Sequence, residues 1–252
     1  MRIARITDYN PNDVTDSEEL ELELSEDIQY SDDLEVFKNE KAFKQFLIRL
    51  KFYIRNSYEY KELIKFLKEY RGMDKCGVHP NVKWRDGFSI HIHHTPFTME
   101  DICYTIITKR REENESLKMS DIAQEVMQLH YLGLVGLYPL CETCHEYAHS
   151  DANDLFIPLN KIYGDPESFV DIYQKYLEDS PLMNKFQNIL VLNKGYNLLE
   201  QVVPMSLRKK YIYVRMKSPK KNDDAHYIVS NKKLYDLLNS DQLNELLDSC
   251  IE

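Results

Sequence analysis

Two clusters of cysteine and histidine residues, at positions 76–94 and 141–149, constrain the fold of this 252-residue chain more than any other feature. They hold six of the eight histidines and three of the five cysteines. Thiolates and imidazoles at short spacing are the usual ligands of tetrahedral zinc, and packing alone does not concentrate them in this way. The sequence therefore predicts that the middle of the chain is assembled around bound metal.

The paired spacings predict a closed structural zinc site. Cys141 and Cys144 have the C-x-x-C spacing in which two thiolates hold one tetrahedral ion. Cys76 and His79 have the same spacing and supply the other two ligands. We expect Zn2+ at these positions, in a reducing compartment where the cysteines do not form disulfides.

A second metal site is predicted from the remaining histidines. His145 and His149 are four residues apart, so on a helix they share one face. His93 and His94 end a segment in which isoleucine and histidine alternate, which is the pattern of a strand. A small ββα unit would place that strand against the helix.

These residues resemble the HNH endonucleases, the ββα-metal or His-Me finger family, and particularly its zinc-knuckle members, which are frequent in phages. The resemblance covers residues 76–160. It implies hydrolysis of DNA phosphodiester bonds, with His94 as the general base and His93 as the first ligand of a catalytic divalent cation such as Mg2+. His145 and His149 would be the other two ligands of that cation.

The chain departs from the family pattern at one central position. The family has an asparagine nine residues before the first helical histidine, and Gly136 stands there in this chain. The resemblance implies that this asparagine braces the loop rather than taking part in the chemistry. The departure leaves an alternative in which a zinc-stabilised module binds nucleic acid or protein without catalysis.

A second alternative uses the same helix. Residues 145–149 satisfy H-E-x-x-H, the zinc metalloprotease pattern in which two histidines bind zinc and Glu146 activates water. That pattern requires a long apolar helix on both sides and a further ligand downstream. Here C-x-x-C precedes it directly, and the Asp-Ala-Asn-Asp segment at 151–154 predicts the end of the helix.

Acidic side chains are concentrated at the N-terminus. Residues 1–40 hold 13 acidic and 3 basic side chains and so account for the whole net charge of −10. Few aromatic residues and no helical apolar stripe occur between positions 16 and 35, which predicts a solvated arm. A sharper hypothesis is that the arm mimics DNA and covers a basic surface; its charge also suits a basic protein partner.

A basic segment near the C-terminus predicts a contact with DNA. Residues 207–221 contain seven basic side chains and no acidic one, interleaved with Tyr211 and Tyr213. Such a segment can follow a phosphate backbone, or it can be an edge strand that lysines keep from aggregating. The candidate nucleic-acid-binding residues are Arg208, Lys209, Lys210, Arg215, Lys217, Lys220 and Lys221.

The overall pattern predicts an α+β fold, mostly helical, with a small ββα metal unit and a C-terminal β-hairpin. The expected organisation is an acidic arm at 1–38, a helical subdomain at 39–72, a ββα domain at 73–162 with a helical insertion at 98–132, and a helical and hairpin domain at 163–252. No segment has the length and apolarity of a signal peptide or a membrane span. We therefore expect a cytoplasmic protein, in the host cytoplasm if a phage encodes it.

Overall fold

Residues 39–149, 155–177, 180–216 and 226–250 are described by the computed structural model, and this part of the chain is mostly helical with two small antiparallel sheets. The elements in chain order are α1 (Glu40–Asn56), α2 (Tyr58–Tyr70), β1 (Ile90–His94), α3 (Met99–Glu112), α4 (Met119–Tyr131), β2 (Leu137–Cys141), α5 (Glu142–His149), α6 (Pro166–Leu177), α7 (Pro181–Val202), α8 (Met205–Tyr211), β3 (Tyr213–Met216), β4 (His226–Val229), α9 (Asn231–Leu238) and α10 (Gln242–Asp248). The predicted fold class is confirmed, including the C-terminal hairpin of β3 and β4.

The largest hydrophobic core joins α1, α2, α3, α4 and α6. Their apolar residues recur at three- and four-residue spacing, which places them on one face of each helix. On α1 these include Leu47, Leu50 and Ile54, and on α4 they include Ile122 and Val126, all of them buried. Burial of one Leu or Ile side chain contributes about 1.5–3 kcal/mol, so packing of these faces is the main stabilising contribution to the helices.

The ββα unit lies beside this core. Strands β1 and β2 pair antiparallel, with His93 opposite Tyr138 and His94 opposite Leu137, and α5 follows β2 directly. Directly paired residues lie on one face of a sheet, whereas neighbours along a strand lie on opposite faces. His93 therefore faces α5, and His94 faces the helical core together with Leu137.

The segment between the two strands forms α3 and α4. A capping box starts α3: the Thr98 hydroxyl accepts a 3.1 Å bond from the Asp101 amide, and the Asp101 carboxylate accepts a 2.8 Å bond from the Thr98 amide. These bonds satisfy amide groups that have no partner within the helix. The cap fixes the direction in which the chain leaves β1.

A separate hydrophobic cluster packs α7, α8, the β3–β4 hairpin, α9 and α10 together. Close approach of α7 and α9 depends on Gly195, where a Cβ atom would lie 2.3 Å from Cδ1 of Leu238. The Phe156 amide donates a 2.9 Å bond to the Val229 carbonyl. That bond attaches the hairpin to the segment that follows the ββα unit.

Candidate metal centres

The knuckle site, formed by Cys76, His79, Cys141 and Cys144, has the geometry of a closed zinc site. All four side chains are buried, and their ligand atoms lie within 4.8 Å of one another. Nδ1 of His79 is 3.2 Å from Sγ of Cys144 and 3.7 Å from Sγ of Cys141. Tetrahedral bonds of about 2.3 Å to sulfur and about 2.0 Å to nitrogen would separate those atoms by about 3.6 Å, so the donor set fits Zn2+.

Backbone bonds shape the first half of the knuckle site. The Cys76 amide donates to the Val82 carbonyl at 3.0 Å, and the Val82 amide donates to the His79 carbonyl at 2.8 Å. The Gly77 amide donates to the Pro139 carbonyl on β2 at 2.8 Å. These bonds close the turn and hold it against the strand that carries Cys141 at its end.

Close contacts in the knuckle site shift the pKa of Cys76, His79 and Cys144. Contacts with the thiols of Cys141 and Cys144 lower the pKa of Cys76, and contacts with Cys141 and Cys76 raise that of Cys144. Burial lowers the pKa of His79, but the neighbouring thiols outweigh burial and raise it to about 9. Metal binding requires deprotonated ligands, so binding of a divalent ion here releases protons.

The histidine cluster, formed by His93, His145 and His149, is a second and more open group of ligands. One nitrogen of each ring lies within 4.8 Å of the others. The ring centroids of His145 and His149 are 4.5 Å apart, and His93 lies 4.9 Å from His149. His149 is exposed while the other two are half-buried, so one side of the cluster faces solvent. Three protein ligands and an open side are typical of a catalytic metal site.

The histidine cluster is neutral at physiological pH. Burial is the main cause that lowers the pKa of His93 to about 3 and of His145 to about 4. After burial, the neighbouring histidines lower the pKa of His93 and His145 further, and smaller contributions come from Lys185 at His93 and from Arg55 at His145. Burial and then Arg55 lower the pKa of His149. Neutral imidazole is the form that binds metal, so the three rings can bind a cation without first losing protons.

His91 also lies on the face of β1 that carries the histidine cluster. Its ring stacks on His145 with centroids 4.7 Å apart and planes inclined by 18°. The ring is exposed, and it lies outside the group of ligand atoms that converge within 4.8 Å. Our sequence interpretation assigned no role to His91. The alternation of His91 with His93 along the strand nevertheless indicates that both rings lie on one face.

His94 is placed away from the histidine cluster. The side chain is 7% exposed. Its Nε2 lies 3.0 Å from Nε2 of His130, and its ring stacks on Tyr60 at 6.4 Å. Burial and then the charge of His130 hold the pKa of His94 well below its usual range. A general base must come within hydrogen-bond reach of the proton it takes, so this position gives the implied role of His94 no support.

The family resemblance predicts asparagine at position 136, but the chain has glycine there. The surrounding backbone leaves no room for a side chain. A Cβ atom at this position would lie 1.9 Å from the Thr95 carbonyl oxygen. The Thr95 amide donates a 2.9 Å bond to the Gly136 carbonyl. The backbone therefore joins residues 95 and 136 directly.

The basic C-terminal segment is divided between a helix and a strand. Arg208 on α8 is 13% exposed at its side chain and lies 3.4 Å from the Glu200 carboxylate. Lys209 and Lys210, also on α8, lie over tyrosine rings at 5.2 and 5.1 Å. Arg215 is exposed on β3. Lys217, Lys220 and Lys221 lie outside the described residues.

Replacement of His94 by alanine should destabilise the protein, whereas the same change at His91 should not. His94→Ala removes a buried ring and leaves His130 without its 3.0 Å partner, so we expect a loss of about 2–4 kcal/mol in the free energy of unfolding. His91 is exposed, and its change should stay within about 0.5 kcal/mol. Chemical denaturation of both variants measures the difference. Equal stabilities would contradict the buried placement of His94.

Comparison with known protein families matches most of the chain to a phage family. The sequence model of a family described as bacteriophage G278-like virion protein matches residues 3–224. Searches of the curated proteins and of the solved structures each returned no match. Within the described ranges, no helix combines the length and apolarity needed to cross a membrane.

Proposed function

Because the chain belongs to the bacteriophage G278-like virion protein family, we propose that it is a phage metalloprotein that hydrolyses phosphodiester bonds of DNA at the histidine cluster. The observation that carries this proposal is the pairing of two unlike ligand sets on one ββα unit. Cys76, His79, Cys141 and Cys144 are all buried, whereas the histidine cluster is open on one side. A closed thiolate site suits structure, and an open imidazole site suits chemistry.

The chain supplies the ligands and the surrounding charge for this reaction. His93, His145 and His149 would hold a divalent cation, and that cation would supply stabilisation of the charge that develops on phosphoryl and leaving oxygens. The Arg55 guanidinium lies close enough to act on the pKa of His145 and His149. Its positive charge is suited to attract a substrate phosphate to the cluster.

The knuckle site supports the histidine cluster through the start of α5. Cys144 is buried among the zinc ligands and His145 is the next residue of the same helix. Fixing Cys144 therefore fixes the rotation of α5 and the direction in which His145 and His149 project. This arrangement agrees with the resemblance to zinc-knuckle HNH endonucleases.

A second candidate function is a metal-stabilised binding module that lacks catalysis. The observation that favours it is the position of His94, which is buried beside His130 rather than at the histidine cluster. The metalloprotease alternative has less support, because α5 begins at Glu142, three residues before His145, and does not provide the long preceding helix of that pattern.

Incubation with supercoiled plasmid separates these functions. We expect Mg2+, Mn2+ or Zn2+ to support conversion to nicked or linear DNA, and we expect a chelator to stop it, because the histidine cluster must hold a cation. A protein that binds plasmid without cleaving it in any of these metals would contradict hydrolysis and favour the binding module.

A further inference from the structure

A cavity of about 300 Å³ lies beside the knuckle site. It is formed where the turn after α2 meets β2 and the segment at 160–163. Three cationic side chains line it, Arg71, Lys75 and Lys161, and no carboxylate is among its described lining residues. We infer that this cavity binds a backbone phosphate of a nucleic-acid strand.

The three cations have no carboxylate partners among the residues that the structure describes. Asp74, which precedes Lys75 in the chain, lies 3.7 Å from Arg85 instead. Like charges that converge on one cavity repel one another, and an anion in that cavity relieves the repulsion. The cavity is therefore electrostatically suited to a phosphate.

Aromatic rings beside the cavity favour a nucleic-acid strand over a free anion. The Arg71 guanidinium lies 5.6 Å from the Phe66 ring centroid and 5.8 Å from that of Tyr163. Phe66 stacks on Tyr70 at 5.7 Å, and Tyr70 is 74% exposed. Exposed aromatic rings next to a cationic groove are the arrangement on which unpaired bases stack. The proposed strand thus places a phosphate in the cavity and a base on Tyr70.

The cavity depends on the knuckle site and lies next to the histidine cluster. Lys75 and Gly77 flank the zinc ligand Cys76, and both line the cavity. Tyr138, another lining residue, pairs directly with His93 across the sheet. The inference rests on the proposed function, because that function identifies the ligand as DNA. The cavity would extend the path of a DNA strand from the histidine cluster across β2.

The test uses the full-length protein and a fluorescent single-stranded DNA oligonucleotide, with binding followed by fluorescence anisotropy. The Lys75→Gln/Lys161→Gln double variant should bind at least about tenfold more weakly, and the slope of log affinity against log salt concentration should become shallower by about 0.7 for each phosphate that the variant no longer neutralises. The matched control is Lys41→Gln/Lys194→Gln, which removes the same charge from exposed positions outside the cavity. The control should bind within about twofold of the unmodified protein.

Zinc content and thermal melting of both double variants show that the fold is retained. Equal affinities and salt dependences for the two double variants would overturn the inference. Inorganic phosphate and unlabelled DNA are also compared as competitors at equal phosphate concentration. If they compete equally well, the cavity binds free anions, and the inference is overturned. The binding assay does not depend on DNA cleavage. If the protein never cleaves DNA but the cavity variant binds more weakly, the phosphate-binding cavity is supported and only the proposed nuclease function is contradicted. If the protein cleaves DNA and the cavity variant binds normally, only the phosphate-binding cavity is contradicted.

Discussion

Cys144→Ser should release the zinc from the knuckle site and unfold the ββα unit. Cys144 is fully buried, and its Sγ lies 3.2 Å from Nδ1 of His79. The ligands Cys76 and Cys141 are buried members of the hydrophobic cluster around it, so loss of the metal disturbs that cluster directly. Binding of a structural zinc ion contributes roughly 10 kcal/mol or more to folding, which matches or exceeds the whole stability of a typical domain.

Elemental analysis and thermal melting measure both consequences of Cys144→Ser. We expect about one zinc ion per chain in the unmodified protein and almost none in the variant. Cys103→Ala is the matched control, because Cys103 is also fully buried but lies in the helical core away from the ligands. It should keep its zinc and lose about 1 kcal/mol of stability. Wild-type zinc content and melting in Cys144→Ser would contradict the knuckle site.

His145→Ala should lower plasmid cleavage by at least about 100-fold while leaving the knuckle site intact. The change removes one of the three imidazoles that converge within 4.8 Å. It leaves in place Cys144 and the other buried ligands, so zinc content at the knuckle site and thermal melting should change little.

Glu146→Gln is the control for this prediction, because Glu146 is exposed on the same helical turn. The nuclease proposal gives Glu146 no chemical role, so its variant should cleave plasmid at close to the normal rate. The metalloprotease alternative needs His145 as a zinc ligand as well, but it also needs Glu146 to activate water, so Glu146→Gln would be inactive under that alternative. Full plasmid cleavage by His145→Ala, or loss of cleavage in Glu146→Gln, would contradict the proposed function.

Local spacing in the sequence accounts for most of the two candidate metal centres. The knuckle ligands come in pairs three residues apart, and turns or helix starts bring such pairs together without information from elsewhere in the chain. His145 and His149 share a helix face for the same reason. Residues that meet through local geometry can be identified from the sequence alone.

The position of His94 follows from strand geometry, but our prediction for this residue followed the family resemblance instead. Adjacent residues in a strand face opposite sides, so alternation groups His91 with His93 and sends His94 to the other face. The resemblance assigned His93 and His94 to one site. The structure instead places His94 beside His130, which lies on α4, 36 residues further along the chain. No local sequence pattern predicts that pairing.

Other features arise only from the tertiary structure. Gly136 is required because the Thr95 carbonyl approaches it, and that approach depends on how β1 and β2 pair. Arg71, Lys75 and Lys161 line one cavity although 90 residues separate the first from the last. Arg208 looks like part of an exposed basic segment in the sequence, but its side chain is 13% exposed in the fold.

Titration with Co2+ tests most directly the central claim that the chain has two chemically distinct metal centres. The first equivalent should bind the knuckle site and give an intense thiolate-to-metal absorption band, because three of its ligands are cysteines. A second equivalent should bind the histidine cluster and add only weaker metal-centred bands, and His145→Ala should abolish this second step alone. A single binding step in the unmodified protein, or a second step that persists in His145→Ala, would contradict the account.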